Sequence, residues 1–310
     1  MVATTTNLRL SINSMANLKE IRIRIGSVGT TQQITKAMKL VAASKLKRAQ
    51  DRIVQMRPYS EKLNEILSNI MGNMEGGANG KYNRKGEVKN VLLVVITSDK
   101  GLCGGFNTNI IKTTRRLLAE TYAAQHKAGN VTMLNVGKKG YDFFKKDKDL
   151  KFITDYTGLT AKLSFENSQA VSETLMAAFA EGKYDVIELV YAKFKNAATQ
   201  LFSVERFLPV EPAEKGKESK KKNDYIYEPE KDRLLEELVP KILNTQFFKA
   251  LLDNNASEHG ARMVAMESAT NNAQELIKSL KIVYNRERQA AITKEILEIV
   301  GGAAALEEKG

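Results

Sequence analysis

The sequence has few of the residues on which disulfide-bonded, metal-bound and membrane-spanning folds depend. Its 310 residues include one cysteine, Cys103, two histidines, His126 and His259, and no tryptophan. One cysteine excludes an internal disulfide and a multi-cysteine metal site, and two histidines argue against a histidine-ligated metal centre. No apolar run approaches the roughly 18 residues of a membrane-spanning helix. The sequence therefore predicts a globular protein of about two domains, at roughly 150 residues each.

Positive charge is abundant and unevenly distributed. Lysine and arginine number 48 against 36 acidic residues, which gives a net charge of +12. Ten basic residues lie between positions 15 and 57, where Glu20 and Asp51 are the only acidic residues, for a local net charge of +8. A solvated helix face usually carries both signs, so we expect this segment to meet an acidic partner or surface, with an ordinary solvated face as the alternative.

The N-terminal segment has the periodicity of an amphipathic helix. Apolar residues recur mostly at spacings of three and four on both sides of Gly29. They are Leu18, Ile21, Ile25 and Val28, followed by Ile34, Met38, Val41 and Leu46. Because the stripe changes phase across Gly29, we expect no uninterrupted heptad seam. Pro58 should end or kink this helix, and a helical pattern then continues to about residue 71.

The C-terminal third predicts a second, longer helix. Pro240 suits a first helical turn, and residues 241–300 contain no further proline and a single glycine, Gly260. An apolar seam with spacings of three and four predicts a coiled coil. It consists of Met266, Ala269, Ala273, Leu276, Leu280 and Val283. Polar residues from Arg286 to Thr293 interrupt the seam and are expected to contact a partner, and Gly301–Gly302 should end the helix.

Between the two helical ends, apolar β-branched runs alternate with helical segments, which predicts an α/β sheet with helices packed on it. Strands are expected at 88–97, 131–136, 152–156, 185–191 and 200–207, with a possible edge at 225–227, and helices at 108–127, 138–145 and 165–180. The two terminal helices should pair as an antiparallel coiled coil. The predicted segments are a tail at 1–14, a helix at 15–72, a linker at 73–87, the α/β domain at 88–232 with a disordered lysine-rich insertion at 211–223, and a helix at 233–310.

The loop after the first predicted strand is where a nucleotide-binding enzyme could be suspected. Residues 98–107 read SDKGLCGGFN, and they follow a strand and precede a helix as phosphate-binding loops do. Their glycines match neither GxxxxGK[ST] nor GxGxxG, so a tight structural turn is the favoured interpretation. Cys103 is expected to be an inert, partly buried thiol, since His126 would have to reach it to act as a base. His259 is expected at the surface or at a helix cap.

Three well-separated groups of motifs occur between residues 15 and 306. They are Ile34–Lys45 (ITKAMKLVAASK), the 98–107 loop, and the C-terminal stretches Glu258–Met266 (EHGARMVAM) and Tyr284–Glu295 (YNRERQAAITKE). Together they closely resemble the γ subunit family of the rotary ATP synthases. Residues 15–21 (MANLKEI) are similar to the usual start of that family, so residues 1–14 look like an addition.

The resemblance implies a Rossmann-like central domain, an antiparallel coiled-coil shaft, and no catalytic group or cofactor. The implied partners are the α and β subunits of the hexamer, the ε subunit and the membrane rotor ring of c subunits. Rotation of the shaft would couple proton flow to ATP synthesis and regulate ATPase activity. Positions that match family contacts with the hexamer are Lys36, Met38 and Arg262 at its base, and Arg288, Gln289 and Thr293 at a β-subunit loop.

Membrane association would then be indirect, with the chain peripheral on the cytoplasmic side of the inner membrane. The lack of a proper transit peptide favours a bacterial protein over one of the mitochondrial matrix. With only Cys103, the regulatory cysteine pair of plastid relatives is missing.

Two other classes of protein stay open from the residues alone. A nucleotide-binding enzyme with helical arms would need a phosphate site at Gly101–Gly105. A nucleic-acid-binding coiled coil would use the basic helix, but residues 15–57 contain no aromatic side chain to stack on bases. Neither class explains the shared motifs, so we expect no nucleic-acid partner.

Overall fold

The computed structural model describes residues 18–72, 81–84, 86–210 and 231–307 of the chain. The long helices are α1 (Leu18–Gly72) and α6 (Lys231–Glu307), and the shorter ones are α2 (Phe106–Glu120), α3 (Ala123–Lys127), α4 (Lys138–Phe144) and α5 (Phe165–Ala180). The strands are β1 (Val91–Ile96), β2 (Val131–Val136), β3 (Leu150–Ile153), β4 (Val186–Phe194) and β5 (Gln200–Leu208). The predicted tail at 1–14, most of the linker, the insertion at 211–223 and the possible strand at 225–227 lie outside the described residues.

The described residues fall into two compact units. The first contains the start of α1, up to Lys39, and the end of α6, from Met266. The second contains residues 40–265, which include the sheet, the short helices and the remaining parts of α1 and α6. None of the described helices carries a stretch apolar enough to cross a bilayer.

The sheet of the second unit is parallel except at one edge. Its strand order is β3-β2-β1-β4-β5, with β5 antiparallel to β4. Val91 of β1 pairs with Val131 of β2 on one side and with Val186 of β4 on the other. All six residues of β1 are buried, because a central parallel strand is covered on both faces, which explains its uniformly apolar sequence. The predicted α/β sheet is confirmed.

Helices form a hydrophobic core on each face of this sheet. On one face, α5 contributes Phe179 and α6 contributes Phe247. On the other face, α2 contributes Phe106 and Ile110, and α4 contributes Phe144. Burial of one such side chain is worth about 1.5–3 kcal/mol. The two cores therefore hold the carboxyl end of β1, and the loop that follows it, between packed layers.

Both long helices continue through the residues predicted to limit them. Pro58 lies inside α1, Pro240 lies inside α6 rather than in its first turn, and α6 passes Gly301–Gly302 before it ends. A proline costs about 3 kcal/mol in a helix interior, and a glycine costs about 1 kcal/mol. Beyond Pro240, Leu243 packs into the core against the sheet, and burial of this kind offsets the cost. The predicted stop at Gly301–Gly302 is wrong because two glycines weaken a helix without ending it.

The buried and half-buried positions of α1 include one seam with alternating spacings of four and three. They are Ile21, Ile25, Val28, Gln32, Thr35, Lys39, Ala42, Leu46, Ala49 and Ile53. The predicted change of phase across Gly29 is therefore wrong, and Ile34 and Val41 are 54% and 57% exposed. A count of apolar residues failed here because polar side chains such as Thr35 and Lys39 take seam positions.

The seam predicted on α6 is confirmed in part. Met266 and Ala273 are buried, and Leu280 is half-buried. Leu276 is 39% exposed, whereas the neighbouring Ile277 is half-buried. The seam therefore advances by four residues after Ala273 and not by three, so the assignment of Leu276 to it is wrong.

Candidate partner-binding surfaces

Polar contacts join α1 and α6 in the described part of the first unit. The hydroxyl oxygens of Thr35 and Thr270 lie 2.7 Å apart, and Lys39 Nζ lies 2.6 Å from Glu267 Oε1. As residue numbers rise along α1 they fall along α6, so the two helices run antiparallel, as the sequence predicts. Thr35 is buried, and a polar group in a helix seam specifies which turn of one helix faces which turn of the other.

Lys36 and Met38, two of the predicted contact residues, lie beside this threonine pair on α1. Lys36 is exposed and Met38 is half-buried. Within the described part of the chain, no ion pair engages the Lys36 ammonium group. It is therefore available to a carboxylate of another molecule. Met38 adds a polarizable side chain that adapts its shape to a partner.

Three more predicted contact residues lie near the C-terminal end of α6. Arg288, Gln289 and Thr293 are all exposed. The Thr293 hydroxyl donates to the carbonyl oxygen of Gln289 at 2.9 Å. Among the described residues, the Arg288 guanidinium and the Gln289 side-chain amide make no hydrogen bond. Both groups keep their hydrogen-bonding capacity for another molecule.

Large apolar side chains are exposed on the same stretch of α6. They are Ile282, Ile292, Ile296, Leu297, Ile299 and Val300. Ile282 and Ile299 have exposed fractions of 71% and 70%. A concentration of exposed apolar residues beside polar ones is typical of a surface that another molecule covers. The end of α6 therefore has the composition of an interface.

Arg262, the remaining predicted contact residue, belongs to the second unit and is engaged there. Its guanidinium donates to the carbonyl oxygens of Gly101 and Lys100 at 2.5 and 3.2 Å. It also donates to Glu258 Oε1 at 2.5 Å, and its side chain is only 13% exposed. These contacts hold the loop after β1 against α6, so Arg262 is a structural link in this chain.

The crevice at the carboxyl ends of β1 and β4, where open α/β sheets bind nucleotides, is occupied by α6. Asn254 Oδ1 accepts the N–H of Ala192 at 3.1 Å, and the Ser257 hydroxyl donates to the Ala192 carbonyl oxygen at 3.0 Å. A Cβ atom on Gly260 would lie 3.1 Å from Ala197 Cα. A helix stands where a nucleotide would bind, in agreement with the structural turn that the glycine spacing predicts.

Cys103 and His126 make separate contacts. Cys103 is buried, and its sulfur lies 3.3 Å from Asn107 Nδ2. His126 Nε2 lies 3.1 Å from Asp147 Oδ2. His126, Asp147 and Asp149 bring three possible metal ligands within 4.8 Å of one another. Because Asp147 Oδ1 also accepts the N–H of Asp149, hydrogen bonding accounts for this cluster.

His259 is buried, with an exposed fraction of 9%, so the predicted surface or cap position is wrong. The helix begins at Lys231, which places His259 in its middle. Nδ1 of the imidazole has no hydrogen-bond partner. Burial lowers the pKa of His259, and Lys45 and Arg262 lower it further against the opposing effect of Glu258. The ring is therefore neutral at pH 7.

Sequence reasoning missed the partners of Thr35 and Lys39 across the helix pair, Thr270 and Glu267. The sequence did contain a signal for these positions, namely the spacing of residues along α1. Thr35 and Lys39 continue the four-three repeat that begins at Ile21, and a search for the repeat that ignored polarity would have included them.

Known proteins match this chain over almost its whole length. The model of a family described as ATP synthase matches residues 17–306. The ATP synthase gamma chain of Cytophaga hutchinsonii is 52% identical over 294 residues, which cover 94% of this chain and 99% of the relative. That of Christiangramia forsetii is 53% identical over 292 residues, with coverage of 94% and 99%.

Solved structures show the same fold. A chain of the central stalk and c-ring of the Tetrahymena thermophila mitochondrial ATP synthase is 27% identical with a TM-score of 0.53, covering 76% of this chain and 99% of that one. A chain of the Euglena gracilis mitochondrial ATP synthase, 22% identical, has a TM-score of 0.64 over 94% of this chain and 95% of that one. From the family match and the two bacterial relatives, this chain belongs to the ATP synthase gamma chain family.

Proposed function

We propose that this chain is the central rotating shaft of a proton-translocating F-type ATP synthase. Rotation of the shaft would impose different conformations on the catalytic β subunits in turn, and so couple proton flow to ATP synthesis and regulate ATP hydrolysis. The chain itself contributes no catalytic group. This agrees with the described structure, in which α6 occupies the nucleotide crevice of the sheet and Cys103 and His126 make separate contacts.

The observation that carries the proposal is the exposed end of α6. Isoleucine and leucine side chains stand in solvent there beside Arg288, Gln289 and Thr293. A helix that ended in solvent would cost free energy for each such apolar side chain, whereas a surrounding protein sleeve would bury them. We assign that sleeve to the hexamer of α and β subunits.

A rotating contact must be specific and also easily broken. Arg288, Gln289 and Thr293 would hydrogen-bond with a loop of one β subunit at a time, and strong bonds at every angle would stall rotation. A few exposed polar groups on an apolar surface meet this requirement. Because the helix presents a different face in each direction, the three β subunits would meet different side chains at any instant.

The base of the hexamer is the proposed partner of the basic part of α1. Lys36 is exposed with Met38 next to it, and both would face acidic loops of the hexamer. Opposite charges at such a surface mainly give specificity and fast association. Arg262 would act at this contact indirectly, by holding the loop after β1, because its guanidinium is bonded within the chain.

The related solved structures include a central stalk with its c-ring and a rotor. By analogy, the ε subunit and the membrane ring of c subunits are the remaining partners that we propose. The chain would then be a peripheral subunit that reaches the membrane only through the complex. We place it on the cytoplasmic face of the inner membrane.

The test is made on the assembled enzyme, purified from its own cells through a tag on this chain. Co-purification of two larger subunits, at three copies each per tagged chain, and ATP hydrolysis by the eluate are expected. Arg288→Ala or Gln289→Ala should leave assembly intact and slow turnover by about tenfold, equivalent to about 1.4 kcal/mol.

The matched control is Lys278→Ala, an exposed position on the same helix, which should turn over at the unmodified rate. Purification of the chain alone, without hydrolysis, would contradict the shaft function. Unchanged turnover in both variants of the assembled enzyme would contradict the role of Arg288 and Gln289.

A further inference from the structure

The second unit contains a basic cleft whose lining includes none of the predicted contact residues Lys36, Met38, Arg262, Arg288, Gln289 and Thr293. Its volume is about 480 Å³, within the usual range of small-molecule sites, about 300–1,000 Å³. Side chains of α1, of the segment before α5, of α5 and of α6 line it. The polar and charged lining residues are Lys45, Arg48, Arg52, Thr160, Ser164, Asn167, Asn255 and His259.

Three cations converge on this cleft from one face of α1. Lys45, Arg48 and Arg52 are three and four residues apart, so they lie on neighbouring turns of the helix. No aspartate or glutamate lines the cleft. None of the three cations has an ion-pair partner in the described ranges, and Arg52 only donates to the carbonyl oxygen of Leu163 at 3.4 Å. Their positive charge is therefore uncompensated within the described residues.

A buried histidine, His259, also borders the cleft. Its Nδ1 makes no hydrogen bond to a described residue and lies 4.0 Å from Glu258 Oε1. The positive charge of the cleft therefore comes from α1, and His259 contributes a polar surface beside it.

Two carboxylates lie near the lining residues. Glu258 Oε1 is 4.0 Å from His259 Nδ1 and is paired with Arg262 at 2.5 Å, and Glu166 is in the first turn of α5. Its own N–H and the Ser164 hydroxyl lower the pKa of Glu166, so this carboxylate occupies the start of the helix. The ligand donors are therefore the side chains of α1 and α6, and not the free N–H groups of α5. Since Arg262 compensates the charge of Glu258, these two carboxylates leave the cleft with a positive excess.

We propose that this cleft binds a small molecule that carries one or more phosphate groups. Two guanidinium groups and an ammonium group can each bond a different phosphate oxygen, and arginine bonds phosphate with two parallel N–H groups. A carboxylate offers only two oxygens and one charge, so a single acidic side chain would satisfy this lining poorly. The cleft volume accommodates an anion as small as pyrophosphate and one as large as a nucleotide.

The experiment is calorimetric titration of the purified full chain with inorganic phosphate, pyrophosphate and ATP in separate runs at one low ionic strength. A saturable one-to-one isotherm is expected for at least one of them, and the run that saturates distinguishes a bare phosphate group from a nucleotide. Arg48→Gln should weaken that binding by about tenfold, the loss of about one charge-assisted hydrogen bond.

Lys47→Gln is the matched control, because Lys47 is exposed on α1 and does not line the cleft. It should bind as the unmodified chain does, with circular dichroism showing equal helix content in both variants. Equal weakening by Arg48→Gln and Lys47→Gln would mean diffuse attraction and overturn the proposal. So would no binding of any of the three anions, or tighter binding of a hexaglutamate peptide that displaces them. Because the isolated chain is used, these outcomes are independent of the shaft function.

Discussion

Thr35 of α1 and Thr270 of α6 share a hydrogen bond across the helix pair, with their hydroxyl oxygens 2.7 Å apart. Each hydroxyl also lies within reach of a carbonyl oxygen of its own helix, Gln32 O at 3.0 Å for Thr35 and Met266 O at 2.7 Å for Thr270. Since each hydroxyl has one hydrogen, one threonine donates across the pair while the other donates to its own helix. The pair is satisfied as a unit.

Thr35→Val should therefore lower the free energy of unfolding by about 1 kcal/mol. The Thr270 hydroxyl can still donate to Met266 O, but it no longer has a hydroxyl opposite it on α1. The double variant Thr35→Val with Thr270→Val should be close to the unmodified chain, since two apolar groups of the same shape replace the bonded pair. Urea denaturation of the full chain, followed by circular dichroism, measures both. If the double variant lost as much unfolding free energy as Thr35→Val and Thr270→Val lose together when made singly, the two hydroxyls would not act as a pair.

Arg262→Ala should release the loop after β1. Removal of the guanidinium leaves Glu258 largely buried and takes a donor from the Gly101 and Lys100 carbonyl oxygens, although the Ser98 hydroxyl still donates to Lys100 O. We therefore expect a loss of about 2–4 kcal/mol in unfolding free energy. Amide hydrogen exchange in the 98–105 loop should speed up. Arg288→Ala, at an exposed position, is the control and should change stability by less than about 0.5 kcal/mol. Unchanged exchange in the loop would contradict the role assigned to Arg262.

Two glycines in long helices should respond oppositely to alanine. A Cβ on Gly260 would lie 3.1 Å from Ala197 Cα and 3.2 Å from its carbonyl oxygen, whereas a Cβ on Gly26 would meet no atom within 4 Å. Gly260→Ala is expected to destabilise the chain by about 1–2 kcal/mol through this crowding. Gly26→Ala should stabilise it by up to about 1 kcal/mol through helix propensity. If thermal unfolding showed that both variants are equally stabilised, the backbone at Ala197 would have shifted to accept the new Cβ without cost, which would contradict the crowding.

Asp253 should make the folded state less stable as pH rises. Burial raises the pKa of this carboxyl to about 6, with Glu205 adding to the rise against Lys249 and Lys193, from an ordinary value of 3.8. The folded chain then holds a proton that the unfolded chain has released, so the stabilisation is complete below about pH 4 and is lost by about pH 6 to 7. Asp253→Asn removes this pH-dependent contribution to the free energy of unfolding. Its stability relative to the unmodified chain should rise by about 1–3 kcal/mol between pH 4 and pH 7.

Asp185→Asn is the control of opposite sign for that measurement. Burial alone would raise the pKa of Asp185, but the N–H groups of Asn90 and Lys89 and the Arg84 guanidinium outweigh it and lower the pKa below 3.8. This carboxylate stabilises the fold above its ordinary pKa and loses that effect as pH falls through the lowered value. Asp185→Asn should therefore be less stable than the unmodified chain at pH 7, with the difference shrinking in acid. Parallel pH profiles for both variants would contradict these assignments.

Much of the α/β unit could be predicted because its elements are locally determined. Strand β2 and helix α5 have the bounds predicted from sequence, Val131–Val136 and Phe165–Ala180. A central parallel strand is apolar throughout, and the hydroxyl of Ser164 caps α5 by accepting the N–H of Asn167. Such signals lie within a few residues of the element that they specify.

The errors arise where a distant segment decides the outcome. The 108–127 helix divides at Thr121 and Tyr122, where Tyr122 is buried in the core under the sheet. The seam of α1 includes Thr35 and Lys39 because Thr270 and Glu267 stand opposite them. No local count of apolar residues contains that information.

The predicted partner contacts show the same difference between what local sequence specifies and what distant segments decide. The resemblance identified positions on both long helices, and all six are exposed or half-buried. Arg262 differs, because its bonds to Lys100, Gly101 and Glu258 depend on the packing of α6 against the loop. The basic cleft was not predicted, since Lys45, Ser164 and His259 are brought together by folding and share no motif.

The hydrogen bond between Thr35 and Thr270 joins residues 235 positions apart. Ribosomes add about 5–20 residues per second, so Thr35 waits about 10–50 s for its partner to be made. During that interval the seam of α1 has no helix to pack against, and a basic segment with an unpaired apolar side stands open to solvent. The first unit can therefore form only after the part of α6 from Met266 has been synthesised, and until then the seam of a newly made α1 has no partner helix.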